Sequence, residues 1–265
     1  MIPSSQQDND FPWWLVFAAA IAGYLMFRVV TDDLYRQVLF TLGRGIKITV
    51  FVTLVAFAMA SFIGLLLATA TLSRFVLLRQ LARFYIEIIR GVPILVLLLY
   101  IAFVFAPAMV HAANWLLEGV GLEPMRVRDF SMMWRAIMAL TVGYSAFLAE
   151  VFRAGLLSVE SGQIEAAKAL GLSGWQRFRH IVFPQAIRTI MPPLGNDFIA
   201  MIKDSSLVSV LGVLDITQLG KVTAAGNFRY FETYNVVALI YLIMTVGLSL
   251  VMRRIEARMR RNTHG

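Results

Sequence analysis

Apolar stretches of about the length that a bilayer core demands, roughly 20 residues per helix, recur along this chain. Six are visible: Trp13 to Val30, Ile46 to Leu72, Phe84 to Val110, Trp134 to Leu157, Ile187 to Val213 and Tyr234 to Met252. Runs of this kind predict helices, because a backbone surrounded by lipid must satisfy its own polar groups. Trp13 and Trp14 read as interfacial anchors. The second stretch is long enough to tilt or to project beyond the lipid. Gly91-Val92-Pro93 predicts a kink or a fresh start in the third, and Pro192-Pro193 with Gly195 opens the fifth. The expected fold is all-α, a polytopic membrane protein of six helices, five forming a core and one added at the N-terminus. Residues 1–12 make a short tail, 13–252 the membrane domain, and 253–265 a basic tail.

Composition agrees with that pattern. Hydrophobic residues make up 59% of the chain and the mean hydropathy is +0.73, far above soluble norms. The formal charge of +8 comes from basic residues gathered at segment ends, which is a topology signal and not a nucleic-acid surface. Arg74, Arg79 and Arg83, then Lys168, Arg177 and Arg179, then the arginines from Arg253 onward fall on one side if the spans are even in number. That side is expected to be cytoplasmic, with both termini on it. Met1 to Asp10 has no basic start, so the first apolar run is expected to remain as an anchor. Cysteine is absent, which excludes disulfides, thiolate metal sites and thiol nucleophiles. His111, His180 and His264 have no companions at metal-ligand spacing. No cofactor is expected in this chain.

One polar stretch, residues 160–185, stands apart from the apolar runs. Glu165 to Leu170 is built of good helix formers, and Ala166, Ala167 and Ala169 keep its surface shallow. Gly171 suits a left-handed cap. Ser173 and Gln176 have capping-box spacing, so a second helix restarts there. Trp175, Phe178 and Ile181 give that helix an apolar face, and Pro184 is expected to stop it. Residues alone leave two readings open, a docking knob or a plain helical hairpin.

Glu165-Ala166-Ala167, then Gly171, then Ile181-x-Phe183-Pro184, resembles the EAA loop of ABC importer permeases, with Phe183 in place of the usual Leu. Arg90-Gly91-Val92-Pro93, Ala149-Glu150-x-x-Arg153-x-Gly155, and Asn196 with Lys203-Asp204-Ser205-Ser206-Leu207 resemble stretches of the polar amino acid subfamily. The resemblance covers roughly Phe40 to Met252. It implies a permease subunit of a binding-protein-dependent importer in a bacterial inner membrane. It also implies three protein partners: a cytoplasmic ATPase dimer, a second permease subunit and an extracytoplasmic amino acid-binding protein. Glu165, Ala166, Ala167, Gly171, Trp175 and Pro184 would then receive the ATPase. A phosphate-binding loop is missing here, since Gly220-Lys221 is followed by Val222 and Asp215 stands where its first Gly belongs. ATP hydrolysis is therefore expected on another subunit.

Lys203 and Asp204 lie within the fifth apolar stretch, where charge costs at least about 2.5 kcal/mol. Neighbours on a helix point about 100° apart, so either the helix loosens near Ser205-Ser206 or each charge pairs elsewhere. Glu150 and Arg153 are the candidate partners. As a substrate path, Asp204 or Glu150 would accept an ammonium, and Lys203, Ser205 and Ser206 would hold a carboxylate. As a structural device, the same charges would tie helices together. An ion-gradient transporter using Glu150, Lys203 and Asp204 is the alternative, but it leaves residues 160–185 unexplained. A membrane enzyme lacks both a metal cluster and a nucleophile elbow.

Overall fold

The structure, a computed structural model, describes residues 13–118 and 123–261. The expected N-terminal tail, residues 119–122 and His264 fall outside those residues. Every regular element among the described residues is helical. Helix α1 spans Trp13–Thr31 and α2 spans Asp33–Thr71. Asp32 makes the joint between them: its carboxylate accepts from Leu34 N at 2.9 Å and from Arg28 Nη2 at 2.7 Å. Helix α2 is thus longer than the apolar run from Ile46 suggested, because no residue between Asp33 and Ile46 breaks it. Gly45 does not bend it but lets another segment cross. A Cβ at Gly45 would lie 2.6 Å from Ile216 N, where the buried Asp215 caps Gln218 N and starts α10 (Ile216–Asn227).

The third apolar run is two elements. Helix α3 (Val76–Gly91) is amphipathic, with Ala82 and Ile86 buried and Leu77, Leu81, Phe84 and Ile88 exposed. It ends before Pro93, whose ring forces Val92 into an extended conformation (φ −98°, ψ 130°). The long apolar helix begins only at Ile94, not at Phe84. It runs through α4 (Ile94–Tyr100), a π turn (Ile101–Phe105) and α5 (Ala106–Glu118). In the π turn Ala106 N bonds to Ile101 O, and the next donor is missing because residue 107 is proline. The buried Arg135 fills that gap by donating from Nη1 to Ala102 O at 3.0 Å. Its other nitrogens reach Phe130 O and Val127 O, fastening the short 3₁₀ turn Val127–Asp129 beneath the loop.

Helix α6 (Met132–Leu157) runs in the same direction as α2 and packs along it. Phe51 meets Trp134 edge-on, Thr141 Oγ1 donates to Ala56 O at 3.5 Å, and a Cβ at Gly64 would touch Leu148 and Ser145 O. Helix α9 (Phe183–Asp204) lies against α6, where Gly155 meets Ile190, and against α11 (Tyr230–Arg261), where Gly195 meets Met252. Pro192 and Pro193 lie inside α9, so they do not open it. Past Asp204 the helix leaves α register near Ser205-Ser206, but by tightening into a 3₁₀ stretch, Ser205–Leu211, and not by loosening. Helix α11 continues as helix through residues expected to form a separate tail. Among the described residues, four helical stretches are long and apolar enough to cross a membrane: Asp33–Thr71, Ile94–Leu117, Met132–Leu157 and Tyr230–Met259.

Candidate functional site

Between α6 and α9 the chain builds a compact surface knob. Helix α7 (Ser161–Ala169) starts four residues before Glu165. It closes with a left-handed Gly171 at φ +78°. Leu172 N bonds to Ala167 O at 3.1 Å and Gly171 N to Lys168 O at 2.9 Å, the paired bonds of a Schellman end. Helix α8 (Gly174–Arg177) follows under a reciprocal capping box: Ser173 N donates to Gln176 Oε1 at 2.8 Å and Gln176 N to Ser173 Oγ at 3.3 Å. Pro184 does not stop this helix. A π turn, Phe178–Val182, absorbs it by shifting the bond of Phe183 N to Phe178 O. The rod is therefore continuous from Gly174 to Asp204, about 45 Å at 1.5 Å per residue.

The knob's free face is apolar and carries charges of both signs, Glu165 beside Lys168 and Arg179. Leu170, Trp175 and Phe183 are exposed, and Trp175 stacks on Phe178 with ring centroids 5.9 Å apart. Glu165 and Ala166 are exposed as well. Ala167 is turned inward at 2% exposure, so it packs the knob and presents nothing outward.

At the far end of the rod lies a cleft of about 510 Å³. One wall is Arg90 with the Gly91-Val92-Pro93 joint, another is Tyr144 and Phe147 of α6, and the third is Asp197, Ala200 and Asp204 of α9. Asp197 and Asp204, seven residues apart, share one helix face about 10 Å apart along the axis. Tyr144 donates its hydroxyl to Asp204 Oδ2 at 2.7 Å. Asp197 is half-buried and has no hydrogen-bond or ion-pair partner among the described residues. The Arg90 guanidinium sits 5.7 Å from the Phe147 ring. The cleft thus offers two carboxylates and one guanidinium amid apolar walls, a set suited to a small molecule bearing both charges.

The residues named from the sequence are distributed differently. Glu150 and Arg153 pair with each other, Arg153 Nη2 to Glu150 Oε2 at 2.5 Å, and not with Lys203 or Asp204. Lys203 is exposed on the outer side of α9. Ser205 is buried and donates to Ile202 O at 2.7 Å, away from the cleft. Ser206 is half-buried beside it. Asp204 does line the cleft. Asp197, Tyr144 and Arg90 line it as well, without a sequence motif that marks them for it. The i, i+7 spacing of the two aspartates was the available signal, whereas Tyr144 and Arg90 reach the cleft only through the packing of α3 and α6 on α9.

Residues 60–261 match the family described as "Binding-protein-dependent transport system inner membrane component". The chain is 37% identical over 221 residues to "Probable amino-acid permease protein YxeN" of Bacillus subtilis (strain 168), covering 83% of this chain and 91% of that protein. It is 36% identical over 217 residues to "Glutamine transport system permease protein GlnP" of Escherichia coli (strain K12), covering 82% and 92%. A solved structure, "Crystal structure of an amino acid ABC transporter with histidines", superposes with a TM-score of 0.69 at 33% identity, covering 86% of this chain and 97% of that one.

Proposed function

The chain belongs to the family of binding-protein-dependent transport system inner membrane components, and on that footing we propose that it is a permease subunit of an ABC importer that moves polar amino acids into the cell. The observation that carries the mechanism is the unbroken rod from Gly174 to Asp204. One end carries Trp175 on an exposed knob, and the other carries Asp197 and Asp204 on the wall of the cleft. A push on the knob reaches the cleft with no intervening hinge loop.

In this reading Glu165, Ala166, Gly171, Trp175 and the helical Phe183-Pro184 step meet a separate cytoplasmic ATPase dimer. Closure of the ATPases displaces α8 and α9 together and shifts the cleft wall against α6. A second permease completes the passage, and a soluble receptor delivers the amino acid from outside. Asp197 or Asp204 accepts the substrate ammonium and Arg90 faces its carboxylate. Alternation requires that ATP favour one of two arrangements over the other.

Gly171→Asp tests the coupling. The position is open, with nothing within 4 Å of a new Cβ, but its positive φ strains any L residue by roughly 1–2 kcal/mol. The strain falls on an exposed helix end. Membrane insertion should be normal, ATP-driven uptake in vesicles should be lost, and ATPase activity should no longer respond to the receptor. Normal uptake by Gly171→Asp at normal membrane levels would refute docking through this knob.

A further inference from the structure

The end of α2 remote from the knob carries a charged feature that transport through the cleft does not use. Arg36, Phe40, Gly43, Arg44 and Lys47 recur at helical spacing on one face. With Leu39 and Ile46 they line an open groove of about 600 Å³. Arg36 is already engaged, donating to Val30 O at 2.6 Å and to Asp33 Oδ1 at 3.2 Å. Arg44 lays its guanidinium over the exposed Phe40 ring, 5.2 Å from the centroid. Arg44 and Lys47 are exposed and have no ion pair among the described residues. Nothing lies within 4 Å of a Cβ at Gly43, so the floor of the groove is free.

The groove also lies at an informative level. Phe51, one turn further along α2 than Lys47, meets Trp134 at the start of α6. Tryptophan at the end of a membrane helix marks the boundary between hydrocarbon and headgroups. Lys47 therefore stands one turn to the water side of that boundary, within reach of lipid phosphates, and long cationic side chains there extend toward them.

We propose that this groove binds the headgroup of an anionic phospholipid. Arg44 and Lys47 hold its phosphodiester, and an acyl chain lies along Phe40 and Leu39. Charge complementarity favours this occupant, since the groove gathers three cations while the nearby Asp33 and Asp32 are held by Arg36 and Arg28. A second copy presenting the same face would set cation against cation.

The test is native mass spectrometry of the full chain in detergent. Phosphatidylglycerol and phosphatidylcholine of matched acyl length are added in turn, with inorganic phosphate as a third arm. The wild type should retain phosphatidylglycerol roughly tenfold or more over phosphatidylcholine, at about a kcal/mol of attraction per basic residue. Arg44→Gln/Lys47→Gln should abolish the preference while circular dichroism and thermal unfolding stay unchanged. Equal retention of the two lipids, or a preference that survives the double substitution, would overturn the proposal. So would displacement of the lipid by millimolar phosphate, which would make this a free-anion site. A cross-link from Gly43→Cys to the second permease in the assembled transporter would give the groove to a protein, and would also overturn it.

Discussion

Asp197 stands on the cleft wall with a half-buried carboxylate and no hydrogen-bond or ion-pair partner among the described residues, one helix face shared with an Asp204 that Tyr144 already engages. An unpaired charge in an apolar segment is costly, and a passing ammonium would relieve that cost. Asp197→Asn keeps the shape and removes the charge. A charge-assisted hydrogen bond contributes about 1.5–3 kcal/mol, so the KM for uptake should rise about tenfold or more, with basal ATPase activity unchanged. An unchanged KM would mean that the substrate does not meet this carboxylate. The sequence makes Asp204 visible, because a Lys-Asp pair inside an apolar run draws attention. It hides Asp197, which looks like an ordinary residue after Asn196 until two helices are laid beside it. Ala166 and Ala167 show the same limit: identical side chains in adjacent positions, one outward and one inward, separated only by which way α7 rolls.

At the scale of elements, two helices solve one problem alike. Ile101–Phe105 and Phe178–Val182 are π turns, and each is followed by one residue and then a proline, Pro107 and Pro184. A proline within a helix lacks a donor and crowds the carbonyl four residues back. Widening the preceding turn moves that carbonyl aside and keeps the helix going. Pro184→Ala restores the donor, so the turn should close to ordinary α register and swing the knob by about 100° relative to α9. Spin labels at Trp175→Cys and Leu194→Cys should report a changed distance, and ATP-driven uptake should fall while thermal stability holds. Local chemistry of this kind is partly legible: the Gly171 end and the Ser173/Gln176 box follow from near neighbours. Pro184 as a helix stop is the reading that fails, because the wide turn that rescues it has no residue signature.

For the molecule as a whole, the apolar pattern foretells an all-α membrane protein, and its errors lie where packing overrides composition. Gly45 carries no signal in the apolar pattern, but it is where the start of α10 crosses. Phe84 reads as the start of a span, but it belongs to a helix with one wet face. Helix α9 is the most telling case. It is wedged between α6 and α11, yet it is not among the four stretches of the described residues that are long and apolar enough to cross a membrane. Pro192, Pro193, Asp197, Lys203 and Asp204 lower its hydropathy, and each acidic or basic residue near a helix centre adds about 2.5–3.5 kcal/mol to the insertion cost. Its insertion is expected to depend on neighbouring helices. Grafted alone into a host protein with glycosylation reporters, residues 183–204 should slip past the translocon. Preceded by α6, they should be retained. The segment on which transport turns would then be the one that the ribosome cannot deliver to the lipid without help from its own neighbours.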